Sequence, residues 1–181
     1  VDRGAVWRWP SWLARRAVRA DTVAAAVPGL PAHTLLYRAR RTAGARSPES
    51  VLVQWLAQRP HDLPVRISLA EYHQQRGDRT AAIQNYEMAA ELRPTPVVLN
   101  NLAWLYHLEK DPRALATAEQ AYKLKPDATI GDTLGWILVE QGKTLRGLEL
   151  LQKAAAAAPK SPEIGYHYAA AGDRAQAVEH L

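Results

Sequence analysis

The sequence has no cysteine, no phenylalanine and a single methionine. Without cysteine there is no disulfide, no thiolate nucleophile and no Cys-based zinc site. The compartment stays open, because a helical protein of the periplasm needs no disulfide. No apolar run approaches the roughly 18–20 residues of a membrane helix, so no transmembrane segment is expected in these 181 residues. The start carries no signal-peptide pattern, and Val1 is not an initiator residue, as expected of a trimmed chain. Nor does any stretch alternate with period two over β-branched residues, so strands are not expected.

What is present suits a globular chain: 48% hydrophobic and 23% charged residues. The net charge of +5 is uneven. Residues 1–46 hold nine arginines against Asp2 and Asp21, a local sum of +7, so the rest sums to −2. Every lysine lies at 110 or later. Such asymmetry suits an acidic partner, a nucleic acid or an anionic surface. It equally suits a solvated face in an arginine-preferring chain.

Self-similarity at a fixed period organises the remainder. Leu69-Ala70, Leu102-Ala103 and Leu134-Gly135 recur at spacings of 33 and 32. Each pair leads to a turn signal, at Gly77-Asp78, Lys110-Asp111 and Gly142-Lys143, then to a second apolar-periodic segment closing near Pro94, Pro126 and Pro159. A looser copy runs from Pro31 through Gly44 to Pro60, and a truncated one starts near Pro162 and passes Gly172-Asp173. In 63–94, Leu69 and Tyr72 or His73 mark one face of a first helix. Gly77 supplies the left-handed residue that ends it, and Asp78 is placed to cap the next. Ala81, Ala82, Tyr86, Ala89 and Ala90 follow at helical spacing until Pro94 stops the run. An all-α chain of helical hairpins is expected.

This pattern resembles the tetratricopeptide repeat (TPR), with its Leu-Gly/Ala pair and aromatic on helix A, Gly at the turn, Ala on helix B and a closing Pro. Thr129–Ser161 is the best copy: Leu134, Gly135, Leu138, Gly142, Gly147, Leu151, Ala154 and Pro159 fall in the family's order. Gly147 stands where the motif prefers Ala, a small-for-small change. Lys110 replaces the turn glycine in the preceding copy. In the loose copy Pro48 opens the second helix, and Trp55 is large where a small residue is usual. The resemblance implies a right-handed α-solenoid over 29–181, in units of about 29–62, 63–94, 95–128, 129–161 and a truncated 162–181, behind a basic Trp/Arg-rich N-terminal capping segment, 1–28. Trp7, Trp9 and Trp12 then dock that cap, or form with Arg8 a patch that stacks on a partner or nucleic acid. The last helix A, Ile164–Gly172, is about four residues short, roughly one turn; either the unit is a stunted cap or a segment is missing.

A narrower resemblance lies in LNNLAWLY (99–106), DPRALATAEQAYKLKPD (111–127), the stretch 132–164 and AGDRAQAVEHL (171–181). These are similar to the C-terminal repeats of PEP-CTERM/exosortase-associated TPR-repeat lipoproteins. They imply a periplasmic or outer-membrane-associated scaffold of a Gram-negative bacterium, tied to export or exopolysaccharide assembly; a cytoplasmic protein is the other expectation.

Because A helices line the concave side in this family, the resemblance puts Glu71, Trp104 and Trp136 on an inner stripe with Asn100, His107 and Asp132. Positions 100, 104 and 107 share one helix face. Two indoles one repeat apart, with an amide and a carboxylate beside them, suit an extended peptide or a sugar chain. Alternatively the tryptophans wedge between successive A helices as packing. Arg38 and Arg41 fall on the same stripe of the first repeat and would give a basic end, suited to an acidic peptide or carboxylated polysaccharide. Gripping of a C-terminal carboxylate is not expected: Asn100 and Asn101 lack matching lysines, and Glu71 and Asp132 stand where cations would help.

Catalytic chemistry is not expected. The six histidines form no His-x-x-x-His or Glu-x-x-His pair, no glycine-rich phosphate loop occurs, and no serine has a GxSxG context. No metal and no cofactor is anticipated. The leading expectation is a protein-interaction scaffold. A carbohydrate-associated module and nucleic-acid binding by the arginine-rich N-terminus are the alternatives.

Overall fold

The computed structural model describes Tyr37 and residues 47–179, with side chains to 176. Among the described residues there are eight helices and no strand: α1 (Ser50–Gln58), α2 (Leu63–Gln75), α3 (Arg79–Leu92), α4 (Pro96–Leu108), α5 (Arg113–Leu124), α6 (Ala128–Glu140), α7 (Thr144–Ala157) and α8 (Pro162–Glu179). None is long and apolar enough to cross a membrane. The Trp/Arg-rich segment 1–28 lies outside the described residues, as do Arg38 and Arg41.

The period is visible in the caps. Asp62, Thr95 and Asp127 each accept a hydrogen bond from the backbone N–H three residues on, at 3.3, 3.3 and 3.0 Å. Each thereby satisfies one of the donors that a helix start leaves unpaired. Pro64 and Pro96 stand in the first turns of α2 and α4, where a missing N–H costs nothing. At the far ends α3, α5 and α7 stop at Leu92, Leu124 and Ala157, two residues before Pro94, Pro126 and Pro159. The turns agree too. Gly77, Lys110 and Gly142 have φ of 77°, 56° and 78°. In all three the following N–H reaches back to a carbonyl five residues earlier, at 3.0, 2.8 and 2.9 Å. Lys110 thus adopts the left-handed conformation that glycine adopts without steric cost.

The chain divides into two units, 1–78 and 79–181. In the first, α1 and α2 pack through Leu52, Leu56, Val65, Leu69 and Tyr72, with Tyr37 against them. Trp55 is accommodated by turning its indole N–H to Asp62 Oδ2, 2.8 Å away, under the Arg59 guanidinium at 3.9 Å.

In the second unit α4–α5 and α6–α7 form hairpins, α3 packs on α4, α5 on α6 and α7 on α8. The first helices of successive pairs also touch, α4 on α6 and α6 on α8. Buried tyrosines carry polar ties: Tyr86 receives the Asn101 amide at 3.0 Å, and Tyr106 donates to Glu87 at 2.6 Å. Arg113 lies 4.1 Å over the Tyr106 ring and pairs with Glu87 and Asp111. Burial and Glu87 together push the Tyr106 hydroxyl well above its ordinary range.

Two details depart from the sequence reading. Gly147 is not interchangeable with alanine: a Cβ there would come 2.6 Å from the Gly135 carbonyl oxygen and 2.6 Å from Val139 Cγ2. The α6 and α7 backbones meet directly at this glycine pair. And Gly172-Asp173, read as a turn, lies inside α8, which runs unbroken for 18 residues. Gly172 takes no positive φ there. Alanine-rich flanks keep this stretch helical at the modest cost of one glycine.

Candidate functional site on α4, α6 and α8

Asn100, Trp104 and His107 follow one face of α4, and Asp132 and Trp136 one face of α6. Asp127 caps the start of α6 and Thr95 that of α4, so both stripes begin from fixed helix ends. The packing of α4, α6 and α8 brings these two stripes together through a residue the sequence reading passed over, His167 on α8. Its Nδ1 lies 3.0 and 2.9 Å from the two carboxylate oxygens of Asp132. Both side chains are buried, at 7% and 6% exposure, so neither is displayed to solvent. The imidazole stacks on Trp136 (4.6 Å between centroids, 20° between planes) and lies 6.1 Å from Trp104.

The two indoles therefore differ. Trp136 is half-buried against the Val139, Leu151 and Ala171 cluster. It is stacked by His167 and overlain by the Arg174 guanidinium at 5.3 Å, itself ion-paired to Glu140. Among the described residues, Trp104, also half-buried, has two tilted imidazoles beside it, His107 at 5.5 Å and His167 at 6.1 Å. Trp136 thus packs against α8, whereas the ring contacts of Trp104 are tilted imidazoles.

His107 reaches from Trp104 to a second feature, a recess of about 460 Å³ at the ends of α4 and α6. Its walls include His107, Leu108, Lys110, Asp111, Glu140 and Gln141. Burial lowers the pKa of His107; Glu140 opposes this and His167 adds to it. Asn100, 9% exposed, keeps a buried Oδ1 without a hydrogen-bond partner one turn before Trp104. Glu71 lies on α2, in the 1–78 unit, where it is exposed and engaged in an interaction of its own. No group of three or more His, Asp or Glu able to hold a metal occurs among the described residues.

Local ligand spacings do not reach His167, which stands 35 residues from Asp132. The usable signal is its distance of 33 from Leu134, one repeat, which places it on the next A helix beside the α6 stripe.

No protein-family model matches the sequence, and no curated protein matches it. Solved structures do. The chain superimposes on TTC0263, a thermophilic TPR protein of Thermus thermophilus, with a TM-score of 0.62 and 21% identity over 84% of this chain and 86% of that one. YrrB, described as a TPR protein with an unusual peptide-binding site, gives 0.69 at 11% identity over 89% and 86%. The MamA protein gives 0.67 at 18% over 81% and 85%. At such identities the likeness speaks for the fold alone, and that fold is the one of tetratricopeptide-repeat proteins.

Proposed function

We propose that the chain is a non-catalytic interaction scaffold that holds a segment of a partner protein against α4 and α6. The observation that carries this reading is Trp104. It is a large amphipathic ring, half-buried like Trp136, and among the described residues it carries neither the stacked imidazole nor the overlying guanidinium of Trp136. Aromatic side chains in such settings provide much of the binding energy of interfaces at small entropic cost. The neighbouring recess gives a bound segment somewhere to place a side chain. A peptide-binding site in YrrB, a fold neighbour, supports the same class of ligand. Purification of partners with wild-type chain and with Trp104→Ala tests it. Loss of capture in the variant, with its helical content retained, supports the reading; undiminished capture contradicts it.

The similarity of 99–106, 111–127 and 132–164 to lipoprotein repeats extends the proposal to a periplasmic or outer-membrane-associated setting and to export of protein or exopolysaccharide. Fractionation of cells expressing the full-length gene tests the setting: recovery only with the cytoplasm contradicts it. Titration with acidic polysaccharide tests the carbohydrate role, and a silent Trp104 across such glycans removes it.

A further inference from the structure

We propose that the buried Asp132–His167 pair positions the Trp104 indole: Asp132 fixes the His167 ring, and that ring holds Trp104 in one orientation for the partner segment. The inference rests on the reading of Trp104 as the binding residue and adds what sets its geometry.

The links run from carboxylate to indole. His167 Nδ1 donates to the Asp132 carboxylate, whose oxygens lie 3.0 and 2.9 Å away. Turning the imidazole over would set a C–H against that buried carboxylate and leave it unsatisfied, so the ring keeps one orientation. A stack on Trp136, 4.6 Å between centroids and 20° between planes, fixes the same ring from its face. Held in this way, His167 meets Trp104 at 6.1 Å and 44°, within the range of aromatic pairs. His107, three residues on along α4, meets the same indole at 5.5 Å and 37°.

Trp104 is therefore flanked by one imidazole from its own helix and one from α8. The two differ in what they are tied to. His107 shares α4 with Trp104 and moves with it. His167 belongs to α8, which packs on α6 and α7, and Asp132 anchors it to α6. It thus registers the indole against the next repeat. A half-buried ring with several rotamers is ordered at a cost on binding, and a ring already held is spared that cost. Asp132 and His167 are both buried, so they act on the partner through Trp104 rather than by contact.

The test uses the full chain with isotope-labelled indoles, the Trp104 N–H being assigned by its loss in Trp104→Phe. In wild type, cross-relaxation between the Trp104 and His167 ring protons is expected. The indole order parameter should lie near the value of about 0.85 found for rigid groups. His167→Gln keeps an amide N–H for Asp132 and removes the ring. Its Trp104 order parameter is expected to fall below about 0.6, with the amide signals of α8 retained. Asp132→Asn keeps an acceptor for Nδ1 and is expected to leave Trp104 as ordered as in wild type. A merely structural role for His167 would move the unfolding midpoint without changing the order of this indole. An ordered Trp104 in folded His167→Gln overturns the inference. So does a wild-type chain without cross-relaxation between the two rings, a check that requires no variant to fold. If His167 holds Trp104 but Trp104→Ala leaves partner capture undiminished, the proposed function falls and the positioning stands.

Discussion

His167 is tied to Asp132 across 35 residues of chain, its Nδ1 within 3.0 Å of both carboxylate oxygens, with both side chains buried. The pair joins the last helix to α6. Removing either partner leaves the other buried and unsatisfied, which typically costs about 3–5 kcal/mol. Asp132→Ala and His167→Ala should each destabilise the chain by about 3 kcal/mol. The double variant should cost less than their sum, by about 1–3 kcal/mol of coupling. Denaturant unfolding of the four proteins checks this, and strict additivity would show that the contact carries no energy of its own.

Gly135 and Gly147 give the second prediction. Because the Cβ of an alanine at 147 would strike a carbonyl oxygen at 2.6 Å, relief requires α6 and α7 to separate. Gly147→Ala should cost about 2–3 kcal/mol. Gly165 is the control: it is helical, exposed and has nothing within 4 Å of an added Cβ. Gly165→Ala should raise stability by about 0.5–1 kcal/mol. A thermal melt of each variant distinguishes the two signs.

Lys110 carries a positive φ where the neighbouring turns use glycine. Lys110→Gly should stabilise by about 1 kcal/mol, since the left-handed strain of a side-chain-bearing residue is removed. No gain in unfolding midpoint would indicate that the lysine's own contacts offset the strain.

His107 sets a pH dependence. Its pKa is lower in the folded chain than the ordinary 6.5, first through burial. The unfolded chain therefore binds the proton more readily, and stability rises with pH across the window from the folded pKa up to about 6.5. Acidification from pH 7 through that window should destabilise wild type more than His107→Gln. Parallel stability–pH curves for the two would contradict the shift.

The repeat period was legible because several signals coincide in it. Leu69, Leu102 and Leu134 mark the first helices, and Pro94, Pro126 and Pro159 follow the ends of the second ones. Lys110 was legible as an ill-fitting turn residue for the same reason. The helix across Gly172-Asp173 was not, since the same dipeptide ends a helix at 77–78, and only the alanine-rich flanks tell the two apart. The difference between Trp104 and Trp136 was equally hidden. Both occupy one position of the repeat, and what separates them is His167 and Arg174 on α8, contacts that no local pattern encodes. Gly147 looked like a small residue among small residues, because a backbone-to-backbone approach leaves no trace in spacing.

Photo-crosslinking addresses the account's central claim, that the α4 and α6 face is the working surface. A photoreactive amino acid replaces Trp104 in one variant and Gln152, exposed on α7, in another, and each is irradiated with the purified partner. The account predicts a crosslink to one defined partner segment from position 104 and none from position 152. Crosslinking from 152 with silence at 104 would contradict it.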